Sequence, residues 1–220
     1  MIKMISTWHF RTKYIRKPMI PTDIKSAFGH VMILLFFLLP GITQAQNWQL
    51  DPGSVPEVVV TGTSTLHDWK ATCSGVASVP ETLNLADQTI KEFEFKVPVD
   101  SMDGGRGATM NNKIRTAFNS AENPFINYKQ TEPAVLSAAP ESGKFDFTSK
   151  GILSLAGKEK PITVSGKGTV KDGFMTLTAS QELKMTDFEM EPPSAMFGQI
   201  KTNDDIVVHF AFHYKLIGNE

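Results

Sequence analysis

The chain has 220 residues, 41% hydrophobic and 20% charged, with a formal net charge of -1. This is ordinary globular composition and argues against a disordered or fibrous chain. Of 22 basic and 23 acidic residues, six and one precede Val31, leaving 16 against 22 in the body. A mildly acidic body argues against nucleic acid as a partner, because phosphate binding needs a basic surface.

The first element is a leader. Val31–Leu39 is a nine-residue apolar block preceded by Lys25, followed by Pro40-Gly41, with Thr43-Gln44-Ala45 offering small residues for cleavage. The pattern is that of a secretory signal peptide, and the block falls well short of the ~20 residues of a spanning helix. Cleavage after Ala45 implies a 45-residue leader from Met1 or 27 from Met19, and the shorter one fits the roughly 15–30 usual for such segments. The expected location is therefore periplasmic or secreted. The remainder, 46–220, is expected to be one domain with a single cysteine, Cys73, and hence no internal disulfide.

In chain order, Trp48–Asp51 predicts a short strand, and Ser54–Thr63 a second with Val58, Val60 and Gly62 on one face. A weakly patterned strand after Trp69 runs to Ala77. Thr89–Val99 has the clearest alternation, with Phe93, Phe95, Val97 and Val99 opposing Glu92, Glu94 and Lys96. Pro98 lacks a backbone donor and marks an edge or strand end. Met110, Ile114, Ala117 and Phe118 recur at helical spacing and predict a helix over 109–118, capped by Thr109 and ended by Asn123-Pro124. Phe125–Thr131 resumes extended structure with Ile126 and Tyr128 on one face.

The stretch Lys144–Val170 predicts a hairpin. Phe145, Phe147, Leu153 and Leu155 share one parity before Gly157–Lys160, and a second alternating run follows Pro161. Lys171-Asp172-Gly173 signals another tight turn, Met175 to Leu183 another strand, and Glu189–Ile200 a loop with two prolines. Asp205–Leu216 predicts a final strand of ~40 Å at about 3.3 Å per residue, with Ile206, Val208, Phe210, Phe212, Tyr214 and Leu216 on one face. The expectation is an all-β chain of about eight antiparallel strands and one short helix, as a sandwich or a closed barrel. Periodicity leaves open whether the inward rings meet in a solid core or line a cavity.

Leu153, Gly157 and Pro161-Ile162, the run Asn123–Tyr128, Phe93–Ser101, and Met185–Phe188 with Phe197-Gly198 and Asp204–Val208 resemble, in order and spacing, the YceI-like family of exported lipid-binding proteins. The resemblance spans roughly Trp48 to Leu216, and departs at Gly62–Trp69, which is polar and turn-like. It implies a closed, lipocalin-like barrel around an apolar tunnel, a long isoprenoid or fatty chain as ligand, and no catalysis or cofactor. The side chains expected to line the tunnel are Phe93, Phe95, Val97, Tyr128, Phe145, Phe147, Leu153, Leu155, Phe210, Phe212 and Tyr214. Transient membrane contact and homodimerisation remain open.

Other candidates carry weaker signals. Ser64, His67 and Asp68 suggest hydrolase chemistry, but adjacent residues on a turn point apart, and the alternative is turn hydrogen bonding. His209 and His213 share a strand face about 13 Å apart, too far for one metal ion. Cys73 has only Lys70 as a nearby basic residue and reads as a buried small hydrophobe. Gly104–Gly107 lacks the Lys-Ser/Thr ending of a phosphate loop. Arg106, Lys113 and Arg115 could meet an anionic head group if the helix sits at a barrel mouth. A structural or interaction domain with a filled core is the remaining alternative to a lipid binder.

Overall fold

The computed structural model describes residues 47–73, 75–76, 82–84 and 88–217. The expected leader lies outside the described residues, as does the end of the strand expected to reach Ala77. The strands are β1 (Asn47–Leu50), β2 (Glu57–Ser64), β3 (Trp69–Cys73), β4 (Thr82–Asn84), β5 (Thr89–Ile90), β6 (Glu94–Pro98), β7 (Met102–Asp103), β8 (Phe125–Gln130), β9 (Ala134–Leu136), β10 (Lys144–Leu155), β11 (Lys158–Lys171), β12 (Phe174–Lys184), β13 (Ser194–Ala195) and β14 (Ile200–Ile217). One helix, α1 (Ala108–Phe118), lies between β7 and β8.

The antiparallel run β10-β11-β12-β14-β2-β3 forms the body of the sheet. Its first two turns are tight hairpins. Ala156 and Gly157 have φ of 48° and 80°, and Asp172 and Gly173 have 51° and 79°. Two consecutive left-handed residues match the twist of the flanking strands. The first hairpin is tighter than expected, because Lys158–Lys160 already pair with Leu155–Leu153. The last strand starts earlier than expected, at Ile200, and pairs with β12 on one side and β2 on the other.

The expected closed barrel of about eight strands is not formed. Thirteen strands make one curled, open sheet, and two-residue β13 pairs with the start of β14. The count rises because long alternating runs are cut. Glu92 takes a left-handed φ of 57° and splits the Thr89–Val99 run. Its halves then choose different partners, β5 with β9 and β6 with β8. The Gln130 side chain staples the break, accepting from Phe93 N at 2.9 Å and donating to Ile90 O at 3.0 Å. At the edges, β6 pairs with β8, and β3 ends on the two-residue β7. Between β6 and β7 the chain makes a 3-10 turn, Val99–Ser101, instead of a closing ladder. Pro98, at the end of β6, has no donor to offer one.

The helix begins without a side-chain cap, after Gly107 rather than at Thr109. It ends at Asn119, whose left-handed backbone returns its N–H to the Arg115 and Thr116 carbonyls, four residues before Asn123. Ile114 and Phe118 are the helix's buried residues and join the core. The inner-face parity expected from alternation holds along β10, where Phe145, Phe147, Leu153 and Leu155 are buried.

The inner face also holds glycines under rings. A Cβ on Gly168 would lie 2.0 Å from the Phe145 ring, and one on Gly166 would lie 2.4 Å from Phe147. These are register partners, so each ring lies across the ladder onto a bare backbone.

Candidate functional site

The site candidate is the concave face of the curled sheet. β6 and β14 are not neighbours in the sheet, yet the curl brings rings at β6 and β14 into tilted contact. Phe95 lies 6.1 Å from Phe210 and 6.0 Å from Phe212, and Phe93 lies 5.8 Å from Phe212. Phe95 stacks on its ladder partner Tyr128 at 5.5 Å, and Phe210 on Phe212 at 5.4 Å. Tyr128 and the buried Ser149 share a 2.6 Å hydrogen bond, which satisfies both hydroxyls in an apolar interior.

Three small apolar cavities run through this face. The first, about 30 Å³, lies among Phe93, Phe95, Tyr128, Phe147, Phe210 and Phe212. The second, about 60 Å³, is bounded by Val97, Leu153 and Leu155 and shares Phe95, Tyr128 and Phe210 with the first. The third, about 50 Å³, reaches under α1 and shares Val60, Phe118 and Ile206 with the second. The interior is thus a string of voids divided by side chains rather than an open tunnel. Each is smaller than the roughly 150 Å³ that holds one benzene in an engineered core.

Nine of the eleven residues expected to line a tunnel border the first two voids: Phe93, Phe95, Val97, Tyr128, Phe147, Leu153, Leu155, Phe210 and Phe212. Phe145 and Tyr214 border none of the three; Phe145 lies over Gly168. Sequence reasoning missed Ser149, although a serine in the row Phe145, Phe147, Leu153, Leu155 was the available signal. It also assigned no lining role to Val164, Leu177 or Phe118, which read only as core positions.

A profile of the YceI-like domain matches residues 48–214. The chain belongs to the YceI-like family. Among solved structures, Burkholderia cenocepacia BcnA is similar at 14% identity and a TM-score of 0.56, over 72% of this chain and 95% of that one. A polyisoprenoid binding domain from Saccharophagus degradans, described as implicated in plant cell wall breakdown, is similar at 12% identity and TM-score 0.54, covering 79% and 99%. A Campylobacter jejuni YceI protein gives 14% identity and TM-score 0.50 over 68% and 85%. At these identities the likeness is one of fold. No curated protein matches.

Within this YceI-like domain the candidate catalytic groups are engaged in turn structure. Ser64 Oγ donates to His67 O at 2.8 Å and accepts from the N–H groups of Leu66 and His67. The His67 ring donates to the Asp68 backbone carbonyl at 2.8 Å, not to its carboxylate. This is the local hydrogen bonding that short polar side chains offer a turn. His209 bonds Ser180 and Thr61, and His213 bonds Thr176. Among the described residues no three His, Cys, Asp or Glu side chains gather as a metal site. Arg115 pairs with Asp100 at 2.9 Å and Lys113 donates to the Ser194 carbonyl, so the helix's own cations already have partners.

Burial sets the unusual ionisations of this YceI-like domain. It pushes the Cys73 thiol up to about 11, keeping it protonated and unreactive at neutral pH. It also raises the Tyr128 phenol, partly offset by Ser149, and takes Tyr214 above the ordinary phenol range. The Tyr214 hydroxyl and Trp48 Nε1 are buried without a hydrogen-bond partner among the described residues.

Proposed function

We propose that this chain is a non-catalytic binding protein for a long-chain isoprenoid or fatty lipid, held along the concave face of the sheet. The observation that carries the proposal is the row of three apolar voids separated only by side chains. The similarity to a polyisoprenoid binding domain supports it. Phe93 and Phe210 are half-buried, so their rings have room to turn aside and join neighbouring voids. Transfer of a twenty-carbon chain is worth on the order of 16 kcal/mol gross, at about 0.8 kcal/mol per CH₂. Against this stand roughly 4–15 kcal/mol of lost freedom on association and the repacking of the rings. The expected location, on the leader alone, is the periplasm or the medium.

Two neighbouring loops with exposed apolar side chains support transient membrane contact. Phe197 is fully exposed, and Met196 and Leu66 are each 64% exposed. Thr65 hydrogen bonds to the Gln199 carbonyl and to the Lys201 backbone hold the two loops together.

Organic extraction and mass spectrometry of protein from its native host should release a long-chain lipid. Purified protein should also bind geranylgeraniol in a titration. The small size of the voids favours one rival, a structural β-domain with a filled core. Clean extracts together with no uptake of geranylgeraniol or palmitate would decide for that rival.

A further inference from the structure

The sheet is unzipped at one place in its interior. β11 and β12 pair from Gly166↔Ala179 to Lys171↔Phe174. Beyond Gly166, residues 158–165 of β11 pair with β10, and residues 180–184 of β12 pair with β14. Among the described residues no rung joins these two halves to each other. Their sequences suit local edges. Pro161 cannot donate to a ladder, and Glu182 and Lys184 place charges beside the unpaired backbone.

An open cleft of about 1100 Å³ fills the separation, walled by Lys160–Thr163 on one side and Gln181–Lys184 on the other. Ile162, Gln181, Leu183 and Ile206 line both this cleft and the 60 Å³ void behind it. Where the ladder is closed, inward residues of β12 are sealed: Met175 is 0% exposed and Leu177 2%. At the gap, Ile162, Gln181 and Leu183 are only half-buried. A single layer of side chains therefore separates solvent from the apolar interior at this point. The far wall is braced, since Asp204 accepts from Thr186 N at 2.8 Å and Thr186 Oγ1 at 2.6 Å, and this fixes the turn carrying Phe188.

We propose that the separation between residues 158–165 and 180–184 is the port by which an apolar ligand enters and leaves, gated by Ile162 and Leu183. This rests on the lipid-binding reading above. It adds to that reading an entrance through the side of the sheet. The rim carries Lys70, Lys160 and Lys184 against Asp68, Glu182, Asp187 and Asp205, with Lys184 and Asp205 paired at 2.7 Å. Its charges nearly cancel and form no anion-collecting cluster, so the port suits a chain with an uncharged head.

The test uses single cysteines carrying a bulky maleimide adduct, introduced after folding. Thr163→Cys and Glu182→Cys place the adduct on either lip of the opening. Lys167→Cys places it on β11 where the ladder with β12 is closed and serves as the control. Uptake and release of tritiated geranylgeraniol are followed by rapid filtration. Adducts at 163 and 182 should slow both rates at least tenfold and leave Kd within twofold, while the adduct at 167 leaves the rates unchanged. Equal rates for all three adducts, with binding intact, would overturn the port and spare the lipid-binding reading. Absence of binding before any adduct is attached would remove that reading and the port with it.

Discussion

Phe95→Ala tests whether the ring cluster is a packed interior. Phe95 is 8% exposed and makes ring contacts with Phe93, Tyr128, Phe210 and Phe212 at 5.5–6.3 Å. Removing it deletes a buried ring and merges the 30 and 60 Å³ voids it divides. The ladder of β6 with β8, from Glu94↔Lys129 to Pro98↔Phe125, holds the backbone against collapse. The loss should therefore reach the usual range for a buried Phe→Ala change, about 3–5 kcal/mol. For a chain of this size that corresponds to a fall in Tm of roughly 6–20 °C. Urea unfolding with and without geranylgeraniol is the assay. The merged cavity should also make the variant's ligand-dependent stabilisation larger than the parent's, through tighter binding to the folded state alone. A loss below about 1 kcal/mol would refute the reasoning, because it would mean that the rings are not packed against one another.

Three further outcomes follow from the same interior. Gly168→Ala sets a methyl 2.0 Å from the Phe145 ring, so overpacking should outweigh the entropy gained and destabilise by about 1–2 kcal/mol; the added change Phe145→Leu should recover part of it in a double-mutant cycle, and additive losses would contradict the contact. Tyr214→Phe removes a buried hydroxyl that has no partner among the described residues and should be neutral or stabilise by roughly 1 kcal/mol in urea unfolding; a clear loss would reveal a bound acceptor. The Cys73 thiol, raised from 9.0 to about 11 in the folded state, ionises first in the unfolded chain. Its contribution is therefore complete below pH 9 and is lost as pH rises to 11, about 2–3 kcal/mol in all; Cys73→Ala should flatten that part of the pH profile, and identical profiles would show that the thiol is not buried.

Much of the fold was legible in the chain itself. Alternation assigned Phe95, Val97, Phe147, Leu153 and Phe212 to the inner face, because side-chain direction in a strand depends only on a residue's parity. Lys171-Asp172-Gly173 marked its hairpin for an equally local reason, the ease with which Asp and Gly take left-handed backbone. Glu92 carries no such mark, so the break that sends β5 and β6 to different partners was invisible. Phe145 and Tyr214 share the parity of the cavity-lining rings yet border none of the three voids described above, because parity names a face and not a depth.

The order of dry and wet positions, the helix before β8 and the family were set by residues acting within a few places of one another. The failure of the sheet to close, the separation at Pro161 and the division of the concave face into separate voids were decided by tertiary structure. They depend on which remote strands share a ladder and on how far each ring reaches across it, and neither quantity has a local signature.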